Sequence, residues 1–345
     1  MRRVLLIGAV NLGLQPSGGE EFKNQVLYQK LIKSYDCRLI DTIQWKRNPG
    51  VVLNLLFSIF FRKTDSIIIS ASSLSSYRLI KLLSFFPRKI RKTNYFVIGG
   101  YFPEGLNLGL YKSKYYKGLN KIVVEGQMFK NEIISTHDLN NVEVIPNFKK
   151  FDFIPKERKI QNHPKRFVFL SLISEDKGCD TIFGAVEKLN ALGLSEEFTF
   201  SFYGKIDLSY QEKFLKQIGN NIYYKGYIDL MNEPNESYLE LSEYDCLVFP
   251  SYYIGEGFPG VLLDSFIAGL PVIASNWNMN KELIIHGING LVVSPKSDVE
   301  LAHAMEKLLA DDELLNYLKS NSVNVASRYH IDSLWPTIRD VVDPK

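Results

Sequence analysis

Residues able to do chemistry concentrate at Gly255-Glu256-Gly257-Phe258-Pro259-Gly260-Val261-Leu262-Leu263-Asp264. This run follows an apolar stretch, Cys246-Leu247-Val248-Phe249, and a short loop. Pro259 suits a first helical position, where its missing N–H would be unpaired anyway. Gly257 and Gly260 remove side chains where backbone must approach something closely. A helix start behind a glycine loop is an anion site. Glu256 would repel a phosphate placed directly on it. It fits better as an acceptor for sugar hydroxyls, with phosphate on the neighbouring backbone N–H groups. Asp264 lies about 7.5 Å further along a helix that starts at Pro259, at 1.5 Å per residue. That is a fair step from a phosphate to a second diol such as a ribose. The same residues also suit an ordinary capped helix with two solvated acids.

The elements that would hold this run alternate short β-rich strands with longer helical segments, the rhythm of βαβ units and parallel sheets. The first half predicts strands at Val4–Val10, Arg38–Ile43, Ser66–Ser70, Tyr95–Ile98, Lys121–Val124 and Val142–Ile145. The second predicts Phe167–Leu172, Phe198–Tyr203, Ile222–Tyr224, Cys246–Phe249, Val272–Ala274 and Gly290–Val293. Residues 151–164 are polar and proline-marked and read as a linker between domains 1–150 and 165–330. A last helix near 331–345 is free to pack back on the first domain. The fold class is therefore α/β, with two doubly wound Rossmann-like domains. Ligands in such folds bind at the carboxyl ends of the strands, here in a cleft between the domains.

Composition narrows the classes. The chain has 345 residues, 46% hydrophobic and 23% charged, with a formal net charge of +3. That suits two folded domains and argues against disorder and against a dedicated nucleic-acid binder. The three cysteines, Cys37, Cys179 and Cys246, are odd in number and widely spaced. A disulfide framework and a zinc site are not expected, and a reducing cytoplasm fits. The basic N-terminus reads as a first strand and not as a signal peptide. The most apolar run, Val51 to Phe61, is too short to span a bilayer, which takes about 20 residues. The small net charge hides two opposite halves. Residues 1–150 hold 23 Lys and Arg against 10 Asp and Glu, an excess of +13; the remainder hold 18 against 28, a balance of −10. Such asymmetry points to an anionic partner for the first half.

The chain resembles retaining glycosyltransferases of family four, which have the GT-B fold. The resemblance rests first on Glu256-Gly257-Phe258-Pro259 with the second acid at Asp264, and on Ser265-Phe266-Ile267-Ala268-Gly269-Leu270-Pro271. It extends through Glu282 to His286-Gly287-Ile288-Asn289-Gly290. Val144-Ile145-Pro146-Asn147, Glu175-Asp176-Lys177-Gly178 and Pro16-Ser17-Gly18-Gly19-Glu20 also resemble family segments. The resemblance implies that Glu256 holds donor-sugar hydroxyls, and that the backbone of Gly257, Phe258, Pro259 and Gly260 lines the sugar and diphosphate. It further implies that Asp264 accepts from the nucleotide ribose and that Lys177 neutralises the leaving diphosphate. Gly18 and Gly19 would bring the first domain's backbone close to the phosphates. Gly204 and Tyr227 are candidates to pack on the base.

Three departures stand out. The second acid is Asp where the family usually has Glu. Leu172 stands where the family often has Arg. The first-domain segment Phe96-Val97-Ile98-Gly99-Gly100-Tyr101-Phe102-Pro103-Glu104 lacks the histidine many members carry. Tyr101 and Glu104 are the acceptor-side candidates that remain.

The mechanism implied is metal-independent retaining transfer, with no resident cofactor. A diphosphate oxygen takes the acceptor proton, so no enzyme nucleophile is needed. Arg78 to Lys92 mixes apolar and basic residues at helical spacing and ends in Arg88, Lys89, Arg91 and Lys92. Such a segment either lies on an anionic membrane surface or is a core helix whose exposed side and exit loop are basic. Together these readings predict a cytoplasmic enzyme at the inner face of the plasma membrane. It would move a hexose or N-acetylhexosamine from a nucleotide-sugar, UDP favoured, to a lipid-diphosphate-linked saccharide in polysaccharide synthesis. The alternatives are a nucleotide-sugar epimerase or hydrolase on the same fold, and a non-catalytic nucleotide-sugar-binding assembly partner.

Overall fold

The computed structural model describes residues 1–12, 18–43, 45, 48–156, 164–230 and 233–343. The chain divides into two compact units. One is Met1–Lys150 with Tyr329–Lys345, the other Phe151–Arg328. Residues 16 and 17 of the glycine loop, and 157–163 of the polar segment before the second sheet, lie outside the described residues.

The first unit is built on a parallel sheet of β1 Arg3–Gly8, β2 Asp36–Asp41, β3 Ser66–Ser70, β4 Thr93–Phe96, β5 Lys121–Val124 and β6 Val142–Val144. Their order is β2-β1-β3-β4-β5-β6. Every residue of β3 is buried, as expected for a parallel strand covered on both faces. The helices Gly19–Ser34 and Ile331–Val342 close one face. Val26, Leu27 and Leu31 of the first pack with Ile331, Ile338, Val341 and Val342 of the second against Val4 and Leu6. Each such side chain contributes about 1.5–3 kcal/mol on full burial. Asn120 Nδ2 anchors the last helix by donating to the Val341 carbonyl at 3.1 Å.

The second unit repeats the plan with β7 Lys165–Leu170, β8 Phe198–Tyr203, β9 Ile222–Gly226, β10 Cys246–Phe249, β11 Val272–Ser275 and β12 Gly290–Val293. Their order is β12-β11-β10-β7-β8-β9. β7 lies between β8 and β10, so the winding reverses there. The loops after β7 and β10 start at this switch point, where folds of this kind bind ligands.

The strands lie where the sequence pattern puts them, with shifts at the ends. The first strand stops at Gly8 and not at Val10, because the next N–H groups turn away from the sheet. Val10 and Asn11 donate instead to the Asp41 carboxylate, at 3.3 and 2.8 Å. The stretch from Arg78 to Lys92 is carried by two helices and the turn between them. A helix Ser73–Leu83 ends before a turn, and a short helix Pro87–Ile90 follows. Pro87 lacks an N–H and clashes with a preceding helical turn, so the first helix cannot run through it.

Candidate active site

Lys177 and Glu256 meet at the β7/β10 switch point. Lys177 Nζ lies 2.5 Å from Glu256 Oε2, and each side chain is only 12% exposed. The two loops are brought together by backbone. Gly178 has φ +83, a left-handed conformation, and a Cβ there would come within 2.3 Å of the Pro250 carbonyl oxygen. Only glycine lets the β7 loop lie this close to the β10 loop. The Tyr252 N–H then donates to the Asp176 carbonyl at 2.9 Å, which ties the loops on either side of the pair.

Glu256 is held from several directions. Ser251 Oγ, fully buried, donates to Glu256 Oε2 at 2.9 Å. Asn278 Nδ2 donates to the Glu256 carbonyl at 2.8 Å. Trp277 Nε1 donates to the Tyr253 carbonyl at 2.8 Å, which pins the loop just before it. Ser275 Oγ donates to the Ser251 carbonyl. The loop after β11 thus buttresses the loop after β10. The Lys177 ammonium also lies over the Tyr253 ring, 4.5 Å from its centroid. This cation–π contact adds about 0.5–2 kcal/mol. The pair is therefore a preorganised carboxylate with a cation beside it. The first can accept hydroxyl groups and the second can attract an anion.

Gly257, Phe258 and Pro259 are buried and Gly260 is half-buried. Pro259 is not the first helical residue. It caps the helix Gly260–Ile267 with extended backbone, ψ 116. Its fixed φ suits that place equally, and the helix starts one residue later than the sequence suggested. Asp264 is only 3% exposed. Its Oδ1 accepts from the Tyr238 hydroxyl at 2.8 Å. Burial and the adjacent Asp264 carboxylate push the Tyr238 phenol well above its ordinary range. Tyr238 remains the donor, and Asp264 is an acceptor supported from the helix Pro234–Ser242.

The other sequence candidates fall elsewhere. Gly204 ends β8 with φ +140, and a Cβ there would sit 1.8 Å from the Ser171 carbonyl oxygen. Close approach of β7 to β8 is thus one sufficient reason for that glycine. Tyr227 follows β9 and is 64% exposed. Leu172 is exposed on the β7 loop. Gly18, Gly19, Tyr101 and Glu104 belong to the first unit. Gly18 caps the helix Gly19–Ser34, and a Cβ at either glycine would meet nothing within 4 Å. Among the described residues, no packing contact requires their small size. Tyr101 is exposed and Glu104 half-buried, both in the first turn of the helix Tyr101–Asn107. Arg88 and Lys89 lie on the short helix Pro87–Ile90, with Arg91 and Lys92 just after it.

Those four cations adjoin a patch of exposed apolar side chains. The ring of Phe60 stands edge-on to Phe86, with centroids 4.7 Å apart. This brings the helix Pro49–Phe60 beside the basic turn. Leu53, Phe57, Phe61, Phe85 and Phe86 are all exposed here, Phe61 to 79%. Among the described residues no helix is long and apolar enough to cross a membrane.

Ser251, Trp277, Asn278 and Tyr238 were not singled out by the sequence. They carry no local motif, since each acts across a loop or helix on a residue up to 26 positions away. Gly178 was visible only as part of the Glu175–Gly178 segment.

Residues 150–325, just over half of the chain, match the family described as glycosyl transferases group 1, and the chain belongs to that family. It is 25% identical to an uncharacterized glycosyltransferase of Methanocaldococcus jannaschii over 181 residues, 51% of this chain and 44% of the relative. It is 26% identical to an uncharacterized 41.2 kDa protein in the cps region of Klebsiella pneumoniae, over 50% of this chain and 45% of the relative. The matched regions thus span under half the length of these two relatives. In fold it is similar to Anabaena HepE in complex with UDP, with a TM-score of 0.74, 16% identity and full coverage of both chains. The same protein bound to UDP-glucose gives a TM-score of 0.73. The architecture is GT-B, two Rossmann-like domains in one chain.

Proposed function

We propose that this protein is a retaining glycosyltransferase that moves a hexose or N-acetylhexosamine from a UDP-sugar to a lipid-linked saccharide during polysaccharide synthesis. The observation that carries the reading is the Lys177–Glu256 pair at the β7/β10 switch point. UDP is favoured as the nucleotide because the structurally similar HepE is recorded with UDP and with UDP-glucose. A polysaccharide product is supported by the cps-region relative.

In this reading Glu256 stays in place when the donor binds, because Ser251 and Asn278 hold it independently of Lys177. Its carboxylate accepts the sugar hydroxyls. Lys177 turns from Glu256 to the diphosphate and stabilises the charge that grows as the sugar–phosphate bond breaks. One well-placed donor of this kind is worth about 2.7–4 kcal/mol in a transition state. Asp264, steadied by Tyr238, takes the ribose hydroxyls. The acceptor hydroxyl attacks the anomeric carbon on the face the diphosphate leaves, and a diphosphate oxygen receives its proton. Neither an enzyme nucleophile nor a metal takes part in these steps. Tyr101 and Glu104 of the first unit are the groups for orienting the acceptor.

The acceptor's lipid would be met by the patch of exposed phenylalanines and Arg88, Lys89, Arg91 and Lys92. Amphipathic surfaces with a basic rim bind anionic bilayers. In this reading the protein works at the inner face of the plasma membrane.

The test is transfer of radiolabel from UDP-glucose, UDP-galactose or the UDP-N-acetylhexosamines to the lipid extract of the source cells. Label should move into the lipid fraction with the parent and fall at least about 100-fold with Glu256→Ala, given the size of such site contributions. Full transfer by Glu256→Ala would overturn the site. Nucleotide binding without transfer to any lipid-linked acceptor would favour a non-catalytic assembly partner.

A further inference from the structure

The sheet of the second unit leaves part of one face open, although parallel sheets are normally covered on both. The cause is legible in β8, Phe198-Thr199-Phe200-Ser201-Phe202-Tyr203. Its phenylalanines point to one face, where Phe202 meets Phe183 and Phe214. Its Thr199, Ser201 and Tyr203 point to the other. There they join Arg166 of β7 and Tyr223 and Lys225 of β9 to floor a groove of about 410 Å³. One wall comes from Glu240, Glu243 and Tyr244. The groove lies wholly within the second unit; its floor runs from Arg166 and Thr199 at the starts of β7 and β8 to Tyr203 at the end of β8, and its described lining includes neither Lys177 nor Glu256.

The lining has a definite chemistry. Arg166 and Lys225 balance Glu240 and Glu243, so a strongly charged ligand is not favoured. Among the described residues no aliphatic side chain lines it, which disfavours an acyl chain or the apolar residues of a peptide. What it offers is hydroxyls, carboxylates, cations and the exposed ring of Tyr223, with Tyr203 and Tyr244 buried beneath. The groups are already organised. Tyr203 donates to Glu240 at 2.5 Å and shares a 3.0 Å bond with Tyr244. Arg166 lies 3.7 Å from Glu243. Tyr223 is 42% exposed, with the Lys225 ammonium over its ring at 5.6 Å from the centroid. Aromatic faces pack on the C–H faces of pyranose rings, while donors and acceptors at the rim take the hydroxyls. The volume falls in the range of ligand sites, about 300–1,000 Å³.

We propose that this groove is a second, non-catalytic binding site for a neutral oligosaccharide, retaining the growing saccharide chain while the donor site turns over. The retention role rests on the proposed transferase reading; the glycan-binding surface does not.

The test uses the full chain in native gels containing dextran, glycogen, galactan or mannan, with UDP-induced thermal stabilisation measured in parallel. Retarded migration is expected in at least one of the four gels. Tyr223→Ala combined with Lys225→Ala should abolish it and leave melting and the UDP shift unchanged. Glu256→Ala should keep the retardation. No retardation in any gel overturns the proposal, as does equal retardation of the double variant or loss of retardation in Glu256→Ala. Retardation without a UDP shift would sustain the groove and sink the donor reading. If the double mutation instead removes binding of a protein partner, with no gel retarding the parent, the groove is a protein-docking face and the proposal fails.

Discussion

Lys177 and Glu256, 79 positions apart, share a 2.5 Å contact that balances the charge of the site before any ligand arrives. Breaking a buried pair by removing one partner is costly, because the other charge is left alone. Here Ser251 already donates to the same Glu256 oxygen, which eases that cost. In the proposed reading the cation is handed from the carboxylate to an incoming diphosphate while the carboxylate holds its position. Lys177→Met should therefore lower the melting free energy by only about 1–3 kcal/mol, measured by denaturant unfolding with the active-site fold intact by circular dichroism.

Tyr238 and Asp264 form a second pair of unequal partners. Tyr238→Phe removes the donor and leaves a buried carboxylate oxygen short of a partner. An unsatisfied buried group costs about 1–3 kcal/mol. Thermal unfolding should show that loss. Titration should also show weaker UDP binding, since the aspartate is no longer aimed.

Glu20 gives a pH signature. Burial, helped by the neighbouring Glu21, raises its carboxyl to about 7, although an Ala9 N–H bond opposes this. Between its ordinary value of 4.5 and about 7, the folded chain binds a proton that the unfolded chain releases. This group therefore lowers stability as pH rises through that window. Glu20→Gln should be more stable than the parent at a pH of about 8, and the gain should vanish near the ordinary carboxylate value of about 4.5. Denaturant melts across that range check it.

The phenylalanine patch and its basic rim predict salt-sensitive vesicle binding. Sedimentation with phosphatidylglycerol vesicles should fall as salt rises from about 0.1 M to about 1 M, because the screening length shrinks from about 10 Å to about 3 Å. Neutralising Arg88, Lys89, Arg91 and Lys92 together should weaken binding at least about tenfold, at roughly 1 kcal/mol per basic residue. Phe57→Ser with Phe61→Ser should weaken it with little change in the salt dependence.

Much of this was legible in residue order. Strand positions followed from apolar β-rich runs, and β8, β10 and β12 begin and end where the pattern puts them. Glu256, Asp264 and Lys177 stood out because a glycine loop, a carboxylate and a helix start are local signals. What the sequence hid was support across distance. Nothing near Tyr238 announces that its hydroxyl will meet Asp264, and nothing near Trp277 announces the Tyr253 carbonyl. The helix end before Pro87 follows from proline chemistry, since the ring cannot continue a helical turn. The alternation in β8 was also plain, yet its meaning depends on which helices cover the sheet.

The central claim is that Lys177, beside Glu256, is the cation that receives the diphosphate of a nucleotide. Calorimetric titration of UDP into the parent and into Lys177→Ala tests it most directly. The parent should bind and the variant should lose about 30- to 150-fold in affinity, the worth of one charge-assisted contact of about 2–3 kcal/mol. Equal affinity of the two proteins, or no binding by the parent, would contradict the account.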